Sequence, residues 1–176
     1  MPLLLSARLT SDSNKNPGAE GKDNTGIASA QGPRLAGIER AWRLRRAAVR
    51  LRGVQILVIE DAPEVLDVLT MLLRCEGADV TGAGSGHEAL NVFRSRHFDV
   101  VVSDLGLPDI AGDVLIRTII AAARRPIQVV VITGESQPAF LTRALEAGAG
   151  VIFAKPCHWA RVVTYLDGLG LSPAAA

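Results

Sequence analysis

Five side chains in this chain of 176 residues are of the types that move a phosphoryl group. Glu60 and Asp61 follow the apolar run ILVI, Asp104 follows VVVS, Thr133 follows VVVI and Lys155 follows VIFA. A carboxylate such as Asp104 can attack phosphorus and carry the group as an acyl phosphate. The hard oxygens of Glu60 and Asp61 suit Mg²⁺, which usually takes one or two carboxylates plus waters and phosphate oxygens. The Thr133 hydroxyl can donate to a phosphoryl oxygen, and the Lys155 ammonium can pair with Asp104 and then with phosphate. Three acids and one lysine leave a net charge of −2, which one divalent ion neutralises. Without it, like charges ~4 Å apart repel by several kcal/mol at an effective dielectric near 20. Taken singly, a strand-terminal Asp most often caps a turn, and Glu60–Asp61 could cap the helix that follows. Only the combination points to phosphoryl chemistry.

That combination depends on the elements that place it. Short apolar runs bounded by loop residues read as strands buried on both faces. Strands are expected at 54–59, 78–81, 99–103, 127–132 and 150–154. Helices are expected from Pro63 to before Gly77, over 86–96, from after Gly112 to before Pro126, over 138–147 and over 157–168. Pro63 suits a helix's first turn. Strands alternating with helices give an α/β, doubly wound, five-stranded parallel sheet with right-handed crossovers. Ligand sites in such sheets lie beyond the strands' carboxyl ends, where all five side chains then meet.

The segment 54–169 resembles a response-regulator receiver domain of two-component signalling. The resemblance rests on VIED with Glu60 and Asp61, on SDLGLPDIAG with Asp104 four residues before Pro108, on Thr133 and on Lys155–Pro156. The intervals agree as well: Asp104 follows Asp61 by 43 residues, Thr133 follows Asp104 by 29, and Lys155 follows Thr133 by 22. The resemblance implies the flavodoxin-like strand order 2-1-3-4-5. It implies transfer of a phosphoryl group from a phosphohistidine to Asp104, with Mg²⁺ held by Asp61, Asp104 and the backbone carbonyl of Gly106, and a shift of Thr133 towards the phosphate. The donor would be a histidine kinase or histidine phosphotransfer protein, and a downstream protein target could read the result. The family usually places an aromatic switch residue three positions before the lysine, where this chain has Ile152. Phe153 follows in a place that is usually aliphatic.

Two other readings are weaker. A haloacid-dehalogenase-like phosphatase wants a second acid two residues after its nucleophile, and Gly106 stands there. A receiver fragment of a hybrid histidine kinase would look much the same, with 34–52 as remnant of a signalling helix. A signalling protein rather than an enzyme is expected. TGAGSGHEAL lacks the glycine spacing of a phosphate loop and reads as a plain strand–helix connection. His87, His97 and His158 show no metal-ligand spacing.

Outside the α/β segment, residues 1–33 are expected to be disordered, because 6–33 are rich in Ser, Asn, Gly, Pro and Ala and lack aromatics. Residues 34–52 carry seven arginines on an amphipathic pattern and read as a basic helix able to support self-association. Residues 1–53 hold ten Lys and Arg against four Asp and Glu, whereas 54–176 hold nine against fourteen. A basic N-terminal extension therefore precedes an acidic domain. The residues 170–176 read as a disordered tail, so no DNA-binding domain is expected. No apolar run reaches the ~18 residues of a membrane span, and a cytoplasmic location is the default. Cys75 and Cys157 fall at opposite ends of the expected sheet and are read as free thiols.

Overall fold

A computed structural model describes residues 49–171. Five strands run in parallel in the order β2-β1-β3-β4-β5: β1 (Gln55–Ile59), β2 (Asp79–Ala83), β3 (Val100–Ser103), β4 (Gln128–Thr133) and β5 (Val151–Ala154). The helices between and after them are α1 (Pro63–Cys75), α2 (Gly86–Ser95), α3 (Gly112–Ala122), α4 (Pro138–Glu146) and α5 (Trp159–Gly168). This is the expected doubly wound sheet, with the expected strand order.

Period-two alternation divides the central strands between two cores. Leu57, Ile59, Val101, Val129 and Val131 pack with Ala89 and Phe93 of α2, Leu115, Ile116 and Ile119 of α3 and Ala144 of α4. Ile56, Val58, Val100, Val102, Val130 and Ile132 face the other way, onto Leu73 of α1 and Val162 and Leu166 of α5. Because β1, β3 and β4 are buried on both faces, their carboxyl ends are held fixed. The residues just beyond those ends inherit that rigidity.

Element boundaries differ from the sequence expectation in two instructive places. β2 continues to Ala83 because its register against β1 runs on to the pair Ile59–Ala83. The N-terminal expectations lie mostly outside the described residues, as does most of the C-terminal tail. Of the helix expected over 34–52, the described residues 49–52 are not helical, and 50–53 form a turn. The Leu51 and Gly53 amides donate to the carbonyls of Glu76 and Gly77, Gly53 adopts φ 74°, and Leu51 is buried against the α1 side of the core. These residues therefore belong to the α/β domain.

Candidate functional site

The carboxyl ends of β1, β3, β4 and β5 bring the candidate residues to one edge. Lys155, just past β5, reaches back across it. Its Nζ donates to Glu60 Oε2 at 2.7 Å and to Asp104 Oδ2 at 2.6 Å. The first of these spans 95 residues of sequence and the second 51. Its backbone amide donates to the Thr133 carbonyl at 2.7 Å, which ties the lysine to the end of β4. Thr133 and Glu60 are buried, Asp104 is half-buried and Asp61 is exposed.

Asp104 both caps a turn and faces the site. Its Oδ1 accepts from the Gly106 amide at 3.1 Å, while Oδ2 takes the lysine. Ser103, buried beneath it, donates its hydroxyl to the Asp104 carbonyl. Burial pushes the Asp104 carboxyl up, but the hydrogen bonds from Lys155 and Gly106 outweigh it and hold the group below 3.8. Burial pushes Lys155 down, and its bonds to Asp104 and Glu60 outweigh that, leaving it above 10.5. Asp104 is thus an ionised carboxylate held by a firmly charged ammonium.

Glu60 and Asp61 do not cap α1. The N-cap is Ala62, with no side-chain hydrogen bond, and Glu60 is turned inward to Lys155. That division of labour bears on a metal. Among the described residues no three acidic, His or Cys side chains gather tightly enough to enclose an ion. With Glu60 committed to Lys155, Asp61 and Asp104 remain as carboxylate donors. Two carboxylates completed by a backbone carbonyl and waters is the donor set that suits Mg²⁺ rather than an all-protein cage, and the excess negative charge suits any hard divalent cation.

The loops around the site are pinned by contacts that the sequence reading missed. Asp109 accepts from the Gly86 amide at 3.0 Å, the His87 amide at 2.9 Å and His87 Nδ1 at 2.7 Å. These bonds fasten the loop after Asp104 to the N-terminus of α2, where a carboxylate is favoured by the helix dipole. The His87 amide foremost, then the Gly86 amide and the His87 ring, hold Asp109 down to about 2 against a smaller opposing effect of burial. Ser85 and Glu88 close the start of α2 in a variant of the capping box: Ser85 Oγ accepts from the Glu88 amide, and Glu88 Oε2 reaches one residue beyond the N-cap to accept from the Gly84 amide. The S-x-x-E spacing could have revealed it; nothing in the sequence marks Asp109 as the clamp. Glu135 is likewise occupied, its Oε1 accepting from the Ser136 and Gln137 amides at 2.8 Å each. On β5, Ile152 packs with the core that holds Val131, and Phe153 lies on the opposite face, edge-on to Tyr165.

Comparison with known proteins agrees with this geometry. The family model of the response regulator receiver domain matches residues 56–167. The DNA-binding response regulator MtrA of Mycolicibacterium smegmatis is 35% identical over 102 residues, covering 58% of this chain and 44% of MtrA. The chain spans about half the length of the curated relatives it matches. The non-phosphorylated HemR receiver domain from Leptospira biflexa aligns with a TM-score of 0.61 at 27% identity, covering 70% of this chain and 99% of that one. A Burkholderia pseudomallei response regulator, crystallised with a phosphorylated aspartic acid, calcium ion and citrate, shares the fold with a TM-score of 0.59 at 22% identity, covering 70% of this chain and 76% of that one.

Proposed function

The chain belongs to the response regulator receiver domain family of two-component signalling, and on that premise we propose that Asp104 is its phospho-acceptor. The observation that carries this reading is the Lys155 ammonium bound at once to Glu60 and Asp104. In the reaction an Asp104 carboxylate oxygen bonds to phosphorus as the P–N bond of a partner's phosphohistidine breaks, and the electron pair leaves on the imidazole nitrogen. Lys155 can then turn from Asp104 to a phosphoryl oxygen, and the buried Thr133 hydroxyl can move towards another. Asp61, Asp104 and the Gly106 carbonyl would hold Mg²⁺, with Glu60 setting the charge from behind Lys155. When bound, the ion neutralises charge on the phosphoryl oxygens. The calcium ion and phosphorylated aspartic acid of the Burkholderia protein support this assignment. The direct test is incubation with acetyl phosphate and Mg²⁺, read by intact mass: a gain of one phosphoryl group is expected, and its absence overturns the reading.

The donor in the cell is a histidine kinase or histidine phosphotransfer protein, and the setting is the cytoplasm. Among the described residues no helix is long and apolar enough to cross a membrane. The domain relays or reads the group by a change of conformation, and its turnover is limited to its own phosphorylation and dephosphorylation. With Ile152 in the switch position, that readout runs without an aromatic rotamer there.

Mg²⁺ is expected to stabilise the fold by relieving repulsion among Glu60, Asp61 and Asp104. At 100 times its dissociation constant the gain is about 2.7 kcal/mol. Asp61→Ala should lose most of this response while melting higher than wild type in the absence of metal. Equal Mg²⁺ shifts in thermal melts of the two proteins would place the ion elsewhere.

Helix α1 is the proposed donor-docking surface. Its apolar set exceeds what one face can bury, and Val65, Val68 and Met71 are left 37%, 50% and 57% exposed. Spaced three apart, they form a stripe that begins beside Asp61, and exposed apolar patches mark partner sites. Replacing both Val68 and Met71 by Asp should slow transfer from a histidine phosphotransfer domain at least tenfold while leaving labelling by acetyl phosphate unchanged. Parallel losses with both donors would mean that the substitutions act on the site, not on docking.

A further inference from the structure

At the other end of the sheet, before β3 and β4 begin, lies a cavity of about 520 Å³. Its rim carries Arg94 at the end of α2, Arg96 in the loop to β3, and Arg124 and Arg125 in the loop between α3 and β4; Phe93 and Phe98 line it as well. The two rings stack on each other with centroids 6.0 Å apart and are buried, so they brace the wall.

The concentration of charge is unusual for this domain. Residues 54–176 hold nine Lys and Arg against fourteen Asp and Glu, yet four of the nine line this one cavity. The carboxylates bonded to its lining residues are already engaged. Asp79 pairs loosely with Arg96 at 3.8 Å, and Asp99 holds both His97 and the Gln55 amide. Arg96 is further fixed by its bond to Thr81 and its position over the Phe98 ring. Among the described residues Arg94, Arg124 and Arg125 make no ion pair. Guanidinium groups crowded without matching acids repel one another, and an anion with several charged oxygens relieves that repulsion. Guanidinium forks match phosphate geometry bidentately, and the volume lies in the range of small-molecule sites.

We propose that this cavity binds a small ligand carrying two or more phosphate groups, remote from Asp104 at the opposite end of the sheet. Arg96 orients the rim, while Arg94, Arg124 and Arg125 supply the contacts to phosphate.

ATP and tripolyphosphate are suitable probes, titrated calorimetrically into the full chain with EDTA present, so that no metal at the Asp104 edge contributes. Binding by wild type is expected for both. The double variant Arg124→Ser, Arg125→Ser should bind at least about tenfold more weakly, as losing a charge-assisted contact implies. Arg94→Gln, on a separate element, should weaken binding in the same direction, so the proposal does not depend on one variant folding. No binding by wild type overturns it. So does unchanged affinity in both variants, which would assign the anion to the basic residues 1–53 instead. Binding of a DNA duplex that depends on Arg124 and Arg125, with none of ATP or tripolyphosphate, would replace a small ligand with nucleic acid and equally overturn it.

Discussion

Asp104→Asn is expected to abolish phosphorylation altogether: after acetyl phosphate and Mg²⁺, the intact mass should show no added phosphoryl group. The substitution removes the proposed nucleophile with little change in shape. An Asn oxygen can still accept from the Gly106 amide, which Asp104 Oδ1 does at 3.1 Å, so the turn beyond β3 survives. Lys155 keeps its 2.7 Å bond to Glu60 and has no reason to swing away. The other acids near the edge cannot substitute. Glu60 is buried behind the lysine, Glu135 is bound to two amides of its own loop, and Asp61 lies one strand over, beyond the end of β1. An undiminished mass gain in the Asn variant would show that the nucleophile is another residue. A residual gain mapped by peptide mass to Asp61 would assign the reaction to the acidic pair.

That these side chains could be placed together from sequence alone has a physical basis. Strands buried on both faces must be continuous apolar runs, so ILVI, VVVS and VVVI mark both the sheet and the points where it ends. Parallel connection then forces all carboxyl ends to one edge, and Glu60, Asp104, Thr133 and Lys155 follow without any knowledge of side-chain geometry. Side-chain direction was less legible. Glu60 and Asp61 are adjacent and chemically alike, yet one is buried on Lys155 and the other exposed. Only the strand register and the distance to β5 decide which. Asp109 was hidden for a similar reason: its partners lie 22 and 23 residues away, at the start of a helix that the sequence places but does not link to the loop after Asp104. The arginine-lined cavity escaped because its members come from the end of α2 with the loop after it and from the loop before β4, separated by a whole strand and helix. The described end of the expected basic helix is a turn, with Leu51 buried in the core.

Removing Lys155 should have the largest effect on stability, and one with a distinctive pH dependence. Lys155→Met keeps most of the length of the side chain and much of its apolar stem but leaves Glu60 and Asp104 without their shared counter-ion. Breaking a buried ion pair by deleting one partner commonly costs 3–5 kcal/mol. Lys155 keeps 29% of its side chain in contact with solvent, so water screens part of that loss and about 2 kcal/mol is expected at pH 7. The folded Asp104 lies below its unfolded 3.8. Its contribution is therefore present above pH 3.8 and lost as the pH falls through the folded value. The folded Lys155 lies above its unfolded 10.5, so its contribution is complete below 10.5 and lost as the pH rises past the folded value. The wild-type pair thus stabilises the fold between those limits. In the variant the two acids repel instead, and protonating one of them relieves the repulsion. The gap between wild type and Lys155→Met should consequently narrow as the pH falls from 7 towards 4, and Mg²⁺ should restore more stability to the variant than to wild type. Urea unfolding at pH 7 and pH 4, with and without Mg²⁺, measures both effects. A gap of the same size at the two pH values would mean that the variant loses packing around the lysine stem, with the charge of Lys155 contributing nothing.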